Sequence, residues 1–503
     1  MGTPRQLPRR HRVKDLRLTR RTFLQTGALS TVAIVTLDGC QSTPPATNNA
    51  GPTAAPSKAE ATAPTSISSQ SPTNPTPKTE SNPSVGAPVT LTFGTWFTEG
   101  TDPITPLFPK FEQAHNAKVK VELIPRDQIM TKFTALFVAG TAQDVQNGDN
   151  FSWSKFYDAG YILDIGSYLK TDNIDIQKDY SLIGSEIWCG KSYGMPFQIG
   201  TRAVYYNKNM LKAVGAPDPW DVLKGQWTFD DMLKIAQQLT KASKGNGKID
   251  QWGIDMSYDG IPEVMGMFIW TFGGNWADFA NMKYTLDSPI SIDAHKYVFD
   301  WVDNKKVVVT NQDASSLVQL GVNNTFTGGK TGMWVRASAS TPQVIKEVGD
   351  RFEWDVAPWP SQKRGTPGVS LVSGNPHTAY AKSKQPDLAY QFMKFLAGDD
   401  VQKFFADGKA QIPTLKKYQE EYSTDPKRHM SVFTDILKVP YGIHFRHYNC
   451  VQVYREYTDA MQQVYIQKQD VAQVLKAFNS KANSEVAYGS CTPYRGWTVP
   501  VQP

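Results

Sequence analysis

Three clusters in this 503-residue chain carry residue types that could do chemistry. Gly190-Lys191-Ser192-Tyr193-Gly194 has the G-x-S-x-G spacing of a nucleophile elbow, which needs an apolar strand before the serine and a helix directly after it. Met195-Pro196-Phe197 cannot start that helix, so the segment reads as a Gly-flanked β-turn. Thr327-Gly328-Gly329-Lys330-Thr331 ends like a phosphate loop, yet the first glycine position of G-x-x-x-x-G-K-[ST] holds Asn324. His444 and His447 stand beside Arg446 and Cys450 without an H-E-x-x-H or C-x-x-C partner, which favours polar or ligand contacts over a metal. Glycosidic bond cleavage would need two carboxylates ~5–10 Å apart with opposed pKa values, which a sequence does not place. No metal and no cofactor is expected, and a secreted glycoside hydrolase or lyase stays as the enzymatic alternative.

The elements that would position a site are those of an α/β sheet. Val89 to Phe93 alternates β-formers, Ile104 to His115 has a helical apolar pattern, and Lys118 to Ile124 alternates again. Ligands gather at the carboxyl ends of strands in such sheets, so the loop Gly94 to Gly100, with Trp96 and Glu99, is a candidate wall. A helical stretch from Gln128 to Ala139 precedes a second extended run that leads into Asp149, Asn150 and Phe151. Thr228, with Asp231 three residues on, predicts a helix N-terminus, and Pro386 opens a helix to Leu396.

Composition narrows the class. With 40% hydrophobic and 20% charged residues the body is globular. The net charge of +6 is concentrated at the start, where residues 1–40 carry eight Lys/Arg against Asp15 and Asp38 and leave the remainder neutral. A neutral body offers no phosphate-binding face, which excludes nucleic acid. The basic stretch ends at Arg20-Arg21 and is followed by the uncharged run Thr26 to Leu37, the order of a twin-arginine export signal. Leu37-Asp38-Gly39-Cys40 resembles a lipobox with Cys40 as the lipidated residue, although Asp38 stands where a small residue is usual. Residues 41–88 are Pro, Thr, Ser and Ala-rich without an aromatic residue, and they read as a disordered tether.

From residue 89 onward the blocks resemble, in order, those of the extracellular solute-binding proteins (family 1) of bacterial sugar ABC transporters, which are maltose-binding-protein-like. Tyr157-Asp158-Ala159-Gly160-Tyr161-Ile162-Leu163-Asp164, Gly190-Lys191-Ser192-Tyr193-Gly194-Met195-Pro196, Tyr205-Tyr206-Asn207-Lys208 and Trp227-Thr228-Phe229-Asp230-Asp231 carry the first half. Gly329-Lys330-Thr331-Gly332-Met333, Phe352 to Pro360, Pro386 to Leu396 and Ile412-Pro413 carry the second, and the match fades after residue 415.

The resemblance implies an α/β, two-lobed periplasmic-binding-protein type II fold, each lobe a mixed sheet flanked by helices, joined by a multi-crossover hinge. The N-terminal lobe would be 89–200 plus 370–412 and the C-terminal lobe 201–369 plus 413–503. Function would be capture of a carbohydrate between the lobes by hinge closure and delivery to ABC permease transmembrane subunits. The protein would be a monomer, extracytoplasmic or periplasmic and held to the membrane by a lipid anchor, and would make or break no bond. A peptide or polyamine ligand is the non-sugar alternative.

Sugars present hydroxyl edges and C–H faces, so their sites combine aromatic platforms with fixed polar groups. The expected ligand contacts are Trp96, Glu99, Asp149, Asn150, Phe151, Phe197, Gln198, Arg202, Trp270, Gly274, Asn275, Trp276, Trp334, Arg336, Phe445, Arg446 and Tyr448. Trp220, Trp227, Trp252 and Trp354 are assigned to packing. Among the mature cysteines, a Cys450–Cys491 disulfide is expected to pin the tail, leaving Cys189 a buried thiol.

Overall fold

The computed structural model describes residues 87–96, 104–125, 128–148, 151–243, 248–256, 263–489 and 491. The chain divides into two units, Met1–Glu80 and Ser81–Pro503, and every described residue lies in the second. The export signal, Cys40 and nearly all of the tether lie outside the described residues.

Alternating β-formers build β1 (Val89–Thr95), whose Leu91 and Phe93 are buried. The helix Phe108–His115 returns the chain to β2 (Ala117–Leu123), parallel to β1 with Val89 opposite Ala117. A second crossover through the helix Ile129–Ala139 leads to β3 (Val145–Asn147), parallel on the other flank of β1. The short hairpin β4 (Ile187–Trp188) and β5 (Lys191–Ser192) turns on Cys189 and Gly190, both at positive φ. No helix follows Ser192, because β6 (Gly194–Asn207) begins two residues later, so the elbow motif is a turn. Downstream lie β7 (Lys241–Ala242), β8 (Ile249–Asp255), the hairpin β9 (Ala277–Asp278) and β10 (Lys283–Tyr284), β11 (Thr331–Ala337), β12 (Trp354–Ala357), β13 (Val372–Ala379) and β14 (Ile412–Pro413).

Ten strands form one sheet in the order β2-β1-β3-β13-β6-β11-β8-β7, with β12 and β14 also paired to β6. The long β6 serves two layers and changes partner at one residue step. Thr201 lies opposite Val372 of β13, and Arg202 opposite Ala337 of β11. β14 meets β6 at Ile199 and Gln198, and β12 meets it from Val204 to Asn207. The chain therefore passes between the two layers within β6, in the segment 358–371 and again after β14.

Each layer has its own core. Phe93, Phe108, Phe111, Val145, Met195, Phe392 and Phe405 fill the first. Phe229, Ile254, Phe268, Trp301 and Met333 fill the second, which also takes the apolar faces of the helices Cys450–Tyr465 and Val471–Glu485. A third cluster, with Ile199, Tyr205, Trp334, Ile412, Tyr422 and Phe433, packs along both halves of β6 and backs the crossing. Helix Phe229–Leu239 starts at a capping box in which the Asp231 amide donates to Thr228 Oγ1 at 3.3 Å and the Thr228 amide donates to the Asp231 carboxylate at 2.9 Å. Helix Pro386–Leu396 carries proline in its first turn and buries Ala389, Phe392, Met393 and Leu396. Trp227, Trp252 and Trp354 are buried, and Trp220 donates its indole N–H to the Val356 carbonyl at 2.6 Å.

The expected Cys450–Cys491 bridge is corrected. Cys491 is bonded to Cys189, with the two Cα atoms 5.6 Å apart. Cys450 opens the helix Cys450–Tyr465 inside the second core, where its thiol donates to the Phe445 carbonyl at 3.0 Å, a packed interior that the tail does not enter. The tail runs elsewhere: the Ala487 carbonyl accepts the Tyr448 amide at 2.7 Å, and Gly489 passes against the Asp158 carboxylate. That course ends at the exposed hairpin turn, so Cys189 is an exposed bridge residue and not a buried thiol.

Candidate functional site

The carboxyl end of β3 gives the first component. Phe151 follows it and leaves the first layer to pack against the second core, its ring 4.3 Å from His444 and 5.4 Å from Tyr454. Arg202, the first β6 residue on the second-layer side, forms an ion pair with Glu263 at the start of the helix Glu263–Thr271. The side chains of both are largely withdrawn from solvent, at 15% and 10% exposure, so the pair is held in a low-dielectric setting where each charge depends on the other. His444 Nε2 lies 3.8 Å from the same Glu263 carboxylate, and its Nδ1 is 3.3 Å from the Tyr454 hydroxyl. Trp276 closes the group, 5.5 Å from Tyr454 and 5.7 Å edge-on to Trp270. Aromatic faces and a fixed ion pair thus meet where the two layers adjoin.

The segment 441–447, entirely buried, runs through this junction. The Gly442 amide donates to the Ser370 carbonyl at 2.8 Å, and its carbonyl accepts the Val372 amide at 2.9 Å, which ties the segment to the crossing at 358–371. A β-carbon at Gly442 would stand 2.2 Å from the Trp270 ring, so glycine is required for the close approach. Arg446 donates to the Ile183 carbonyl on the first-layer side. Burial lifts the Glu186 carboxyl above its ordinary range, while the Arg446 charge draws it back down. Burial pulls His447 down to about 4, so it is neutral, with Nε2 2.9 Å from the Tyr284 hydroxyl. Tyr448 donates to the Asp158 carboxylate, and burial first, then that partner, raises its phenol.

Among the sequence-predicted contacts, the structure gathers Phe151, Arg202, Trp270, Asn275 and Trp276 around this junction, with Arg446 and Tyr448 bridging toward the first layer. Trp270 is fixed by donating to the Asn275 side-chain carbonyl at 3.0 Å, and Gly274 makes the tight turn between them, its amide donating to Ile269 at 2.9 Å. Gln198 lies at the crossing beside β14. Others are placed in cores: Phe197 packs against His377 with tilted rings 4.0 Å apart, Phe445 packs edge-on to Tyr284 at 4.8 Å, and Trp334 stacks on Phe326 with Arg336 over its ring at 5.4 Å. Trp96 packs against the cluster of Phe133, Trp153 and Tyr193 in the first layer. Glu99, Asp149 and Asn150 lie outside the described residues.

Sequence reasoning passed over Glu263, Tyr454 and Asn147, and singled out His444 only as a residue for polar or ligand contacts. Asn147, the last residue of β3, is wholly buried and neither polar atom of its side chain has a hydrogen-bond partner, and the same holds for Gln198 Oε1 and Glu186 Oε2. Orphaned buried polar atoms call for a ligand, water or ion. A polar residue at a strand's carboxyl end was the available signal for Asn147; no local signal marks Glu263. A separate 290 Å³ cavity lined by Trp220, Trp227, Trp359, Ser361, Thr366 and Ile436 contains none of the predicted contacts. The hydroxyls of Ser361 and Thr366 there are already donated to the Lys363 carbonyl. Among the described residues no group of three or more His, Cys, Asp or Glu side chains could hold a metal.

Two α/β layers sharing one crossing strand, with aromatic and ionic groups at their junction, define a two-lobed clamp. The same fold is found in an ABC substrate-binding protein of Listeria monocytogenes in complex with cycloalternan, at a TM-score of 0.70 and 18% identity over 79% of this chain and 98% of that one. Residues 95–403 match the profile of bacterial extracellular solute-binding proteins, and the chain belongs to that family. Similar relatives include a Brucella abortus (strain 2308) protein described only as a binding protein, 24% identical over 395 residues (75% of this chain, 89% of that protein). The maltodextrin-binding protein of Bacillus subtilis (strain 168) is 26% identical over 315 residues (60% of this chain, 68% of that protein).

Proposed function

We propose that this protein is the extracytoplasmic capture subunit of an ABC importer and holds a carbohydrate, of oligosaccharide size, between two lobes formed by residues 89–200 plus 370–412 and 201–369 plus 413–503. The observation that carries the reading is the meeting of Phe151, Trp276, His444 and the Arg202–Glu263 pair where β6 passes from one layer to the other. Aromatic faces suit the C–H patches of a sugar ring, and buried donors and acceptors suit its hydroxyls. The maltodextrin and cycloalternan bound by similar proteins support the same ligand class. Ligand touching both lobes stabilises the closed form by its differential affinity, and a permease that binds the closed form and opens it releases the cargo unchanged. The twin-arginine signal over 1–40, a lipid on Cys40 and the tether over 41–88 complete the reading: a monomer anchored at the outer face of the membrane. Among the described residues no helix is long and apolar enough to cross a membrane.

The test is a thermal-shift screen of the full chain against maltotriose, mannobiose and diacetylchitobiose, with a tripeptide and spermidine as controls. A ligand at 100 times its Kd adds about 2.7 kcal/mol. A saturable shift with one saccharide class, the sugar recovered intact, is expected. A shift with peptide or polyamine alone, or recovery of a cleaved sugar, would overturn it.

A further inference from the structure

The Cys189–Cys491 bridge connects the two layers at a point away from the crossing strand. Cys189 turns the β4–β5 hairpin, and its neighbour Trp188 belongs to the first-layer cluster of Phe133, Trp153 and Tyr380 and donates to the Asp158 carboxylate at 2.7 Å. Cys491 comes after the helix Val471–Glu485, whose Val474, Leu475, Phe478 and Ala482 are buried in the second core. The three chain passages between the layers all lie along β6, in its own course, at 358–371 and after β14. The disulfide is a fourth covalent link, and its place is set by the segment 442–448. That segment starts on the crossing, at Gly442, and six residues later Tyr448 meets both Asp158 and Ala487. Six residues span up to about 20 Å.

We propose that this disulfide is a leash on the clamp: it permits closure and caps how far the unliganded lobes can part. The proposal rests on the two-lobe reading above. Other contacts crossing at this place are reversible, namely the Tyr448–Asp158 hydrogen bond, the Val451 amide to Ser152 Oγ at 3.3 Å and the Phe151–His444 ring contact. They can break on opening, whereas the disulfide cannot. The slack is the tail itself. While Ala487 stays bonded to Tyr448, the four residues to Cys491 extend at most about 14 Å, and separation of the lobes at that point is limited to that reach. A smaller open ensemble leaves less freedom to lose on closing, so the leash raises affinity through preorganisation.

The test uses the full chain without sugar, with nitroxides on p-acetylphenylalanine introduced at the exposed positions Lys132 and Lys296, one on each layer, and inter-label distances read by pulsed EPR. Wild type should give one narrow distribution, and Cys189→Ser/Cys491→Ser a broad one reaching longer distances. A four-residue Gly-Ser insertion after Ala487 keeps the bridge, lengthens the leash and should fall between them, and it answers the question even if the double serine variant fails to fold. Distributions identical to wild type would overturn the leash. Maltotriose titration then separates the two readings. Affinity about three- to tenfold weaker in the variants is expected. Widened distances with no saccharide binding in any form would leave the leash standing and sink the carbohydrate reading, and unchanged distances with normal binding would do the reverse.

Discussion

Gly442→Ala perturbs the junction at its tightest contact. The added methyl would stand 2.2 Å from Cε3 and Cζ3 of Trp270, and ordinary van der Waals contact begins near 3.4 Å, so one partner must retreat by about 1.2 Å. The backbone cannot yield easily, because residue 442 is bonded through its amide to Ser370 and through its carbonyl to Val372. The indole is confined as well. It donates to Asn275, and a β-carbon at Gly266 would already be 3.1 Å from its Cη2. Overpacking of this kind costs about 1–3 kcal/mol, and loss of the indole hydrogen bond adds about 1 kcal/mol. For an ordered body of roughly 400 residues, with unfolding entropy near 2.1 cal/mol/K per residue, that is a fall in Tm of about 2–5 °C. The assay is guanidinium unfolding followed by circular dichroism, with Gly408→Ala as control, since a β-carbon there meets nothing within 4 Å. Trp270→Phe shortens the ring, so the double variant should recover part of the loss, with a coupling of at least about 1 kcal/mol. Strictly additive costs, or a Gly442→Ala protein as stable as the control, would show that the two residues do not collide and would refute the reasoning.

Two further outcomes are expected at buried polar groups. His377 is wholly buried with neither ring nitrogen hydrogen-bonded, and burial alone draws it down to about 3 from 6.5. Its folded value is depressed, so the unfolded chain binds the extra proton and stability is lost as pH falls below about 6.5 toward 3, at about 1.4 kcal/mol per pH unit. His377→Met should therefore be more stable than wild type at about pH 7 by about 1–2 kcal/mol, and the gap should widen by about 2 kcal/mol at about pH 5 in urea unfolding; a gap that narrows in acid contradicts this. Arg202→Met leaves the Glu263 carboxylate buried without its cation and should cost about 3–5 kcal/mol, while Arg202→Met/Glu263→Gln should recover most of it; equal losses in the two proteins would show that the pair is not coupled.

The fold was legible where local physics and global packing agree. Alternation at Val89–Phe93 and the Thr228–Asp231 capping box reappear at their expected places, and the helical pattern expected over Ile104 to His115 is a helix from Phe108 after a single 3-10 turn, because each depends on a few neighbouring residues. The serine and phosphate-loop motifs could be set aside on equally local grounds, Met195-Pro196 for the first and Asn324 for the second, and each does run directly into a strand, β6 and β11 respectively. Long-range pairings were not legible. Cys450 and Cys189 look alike in a sequence, and only the course of the tail past Ala487 and Gly489 selects between them. Likewise, a tryptophan in a Gly-rich turn is equally compatible with a sugar platform and with a packed core, and Trp270 is packed against Gly442, 172 residues on in the chain.

The junction joins these two kinds of information. Arg202 is an expected contact because the resemblance puts it at the boundary between lobes, yet its partner Glu263 is supplied by a helix 61 residues away and the flanking His444 by a segment beyond the family's blocks. The family profile ends at Lys403, while His444 and Tyr454, which close this junction from the carboxyl side, lie after it. The frame is shared with its relatives well beyond that point, since the Listeria structure covers 79% of this chain, and the carboxyl-terminal part contributes side chains to the junction that the profile does not describe. The segment 441–448 cannot be exchanged whole, because Phe445 belongs to the second core and Gly442 abuts Trp270. His444→Gln, with both kept in place, should weaken saccharide binding under the carbohydrate reading by more than it lowers stability, and unchanged affinity in a calorimetric titration would contradict this.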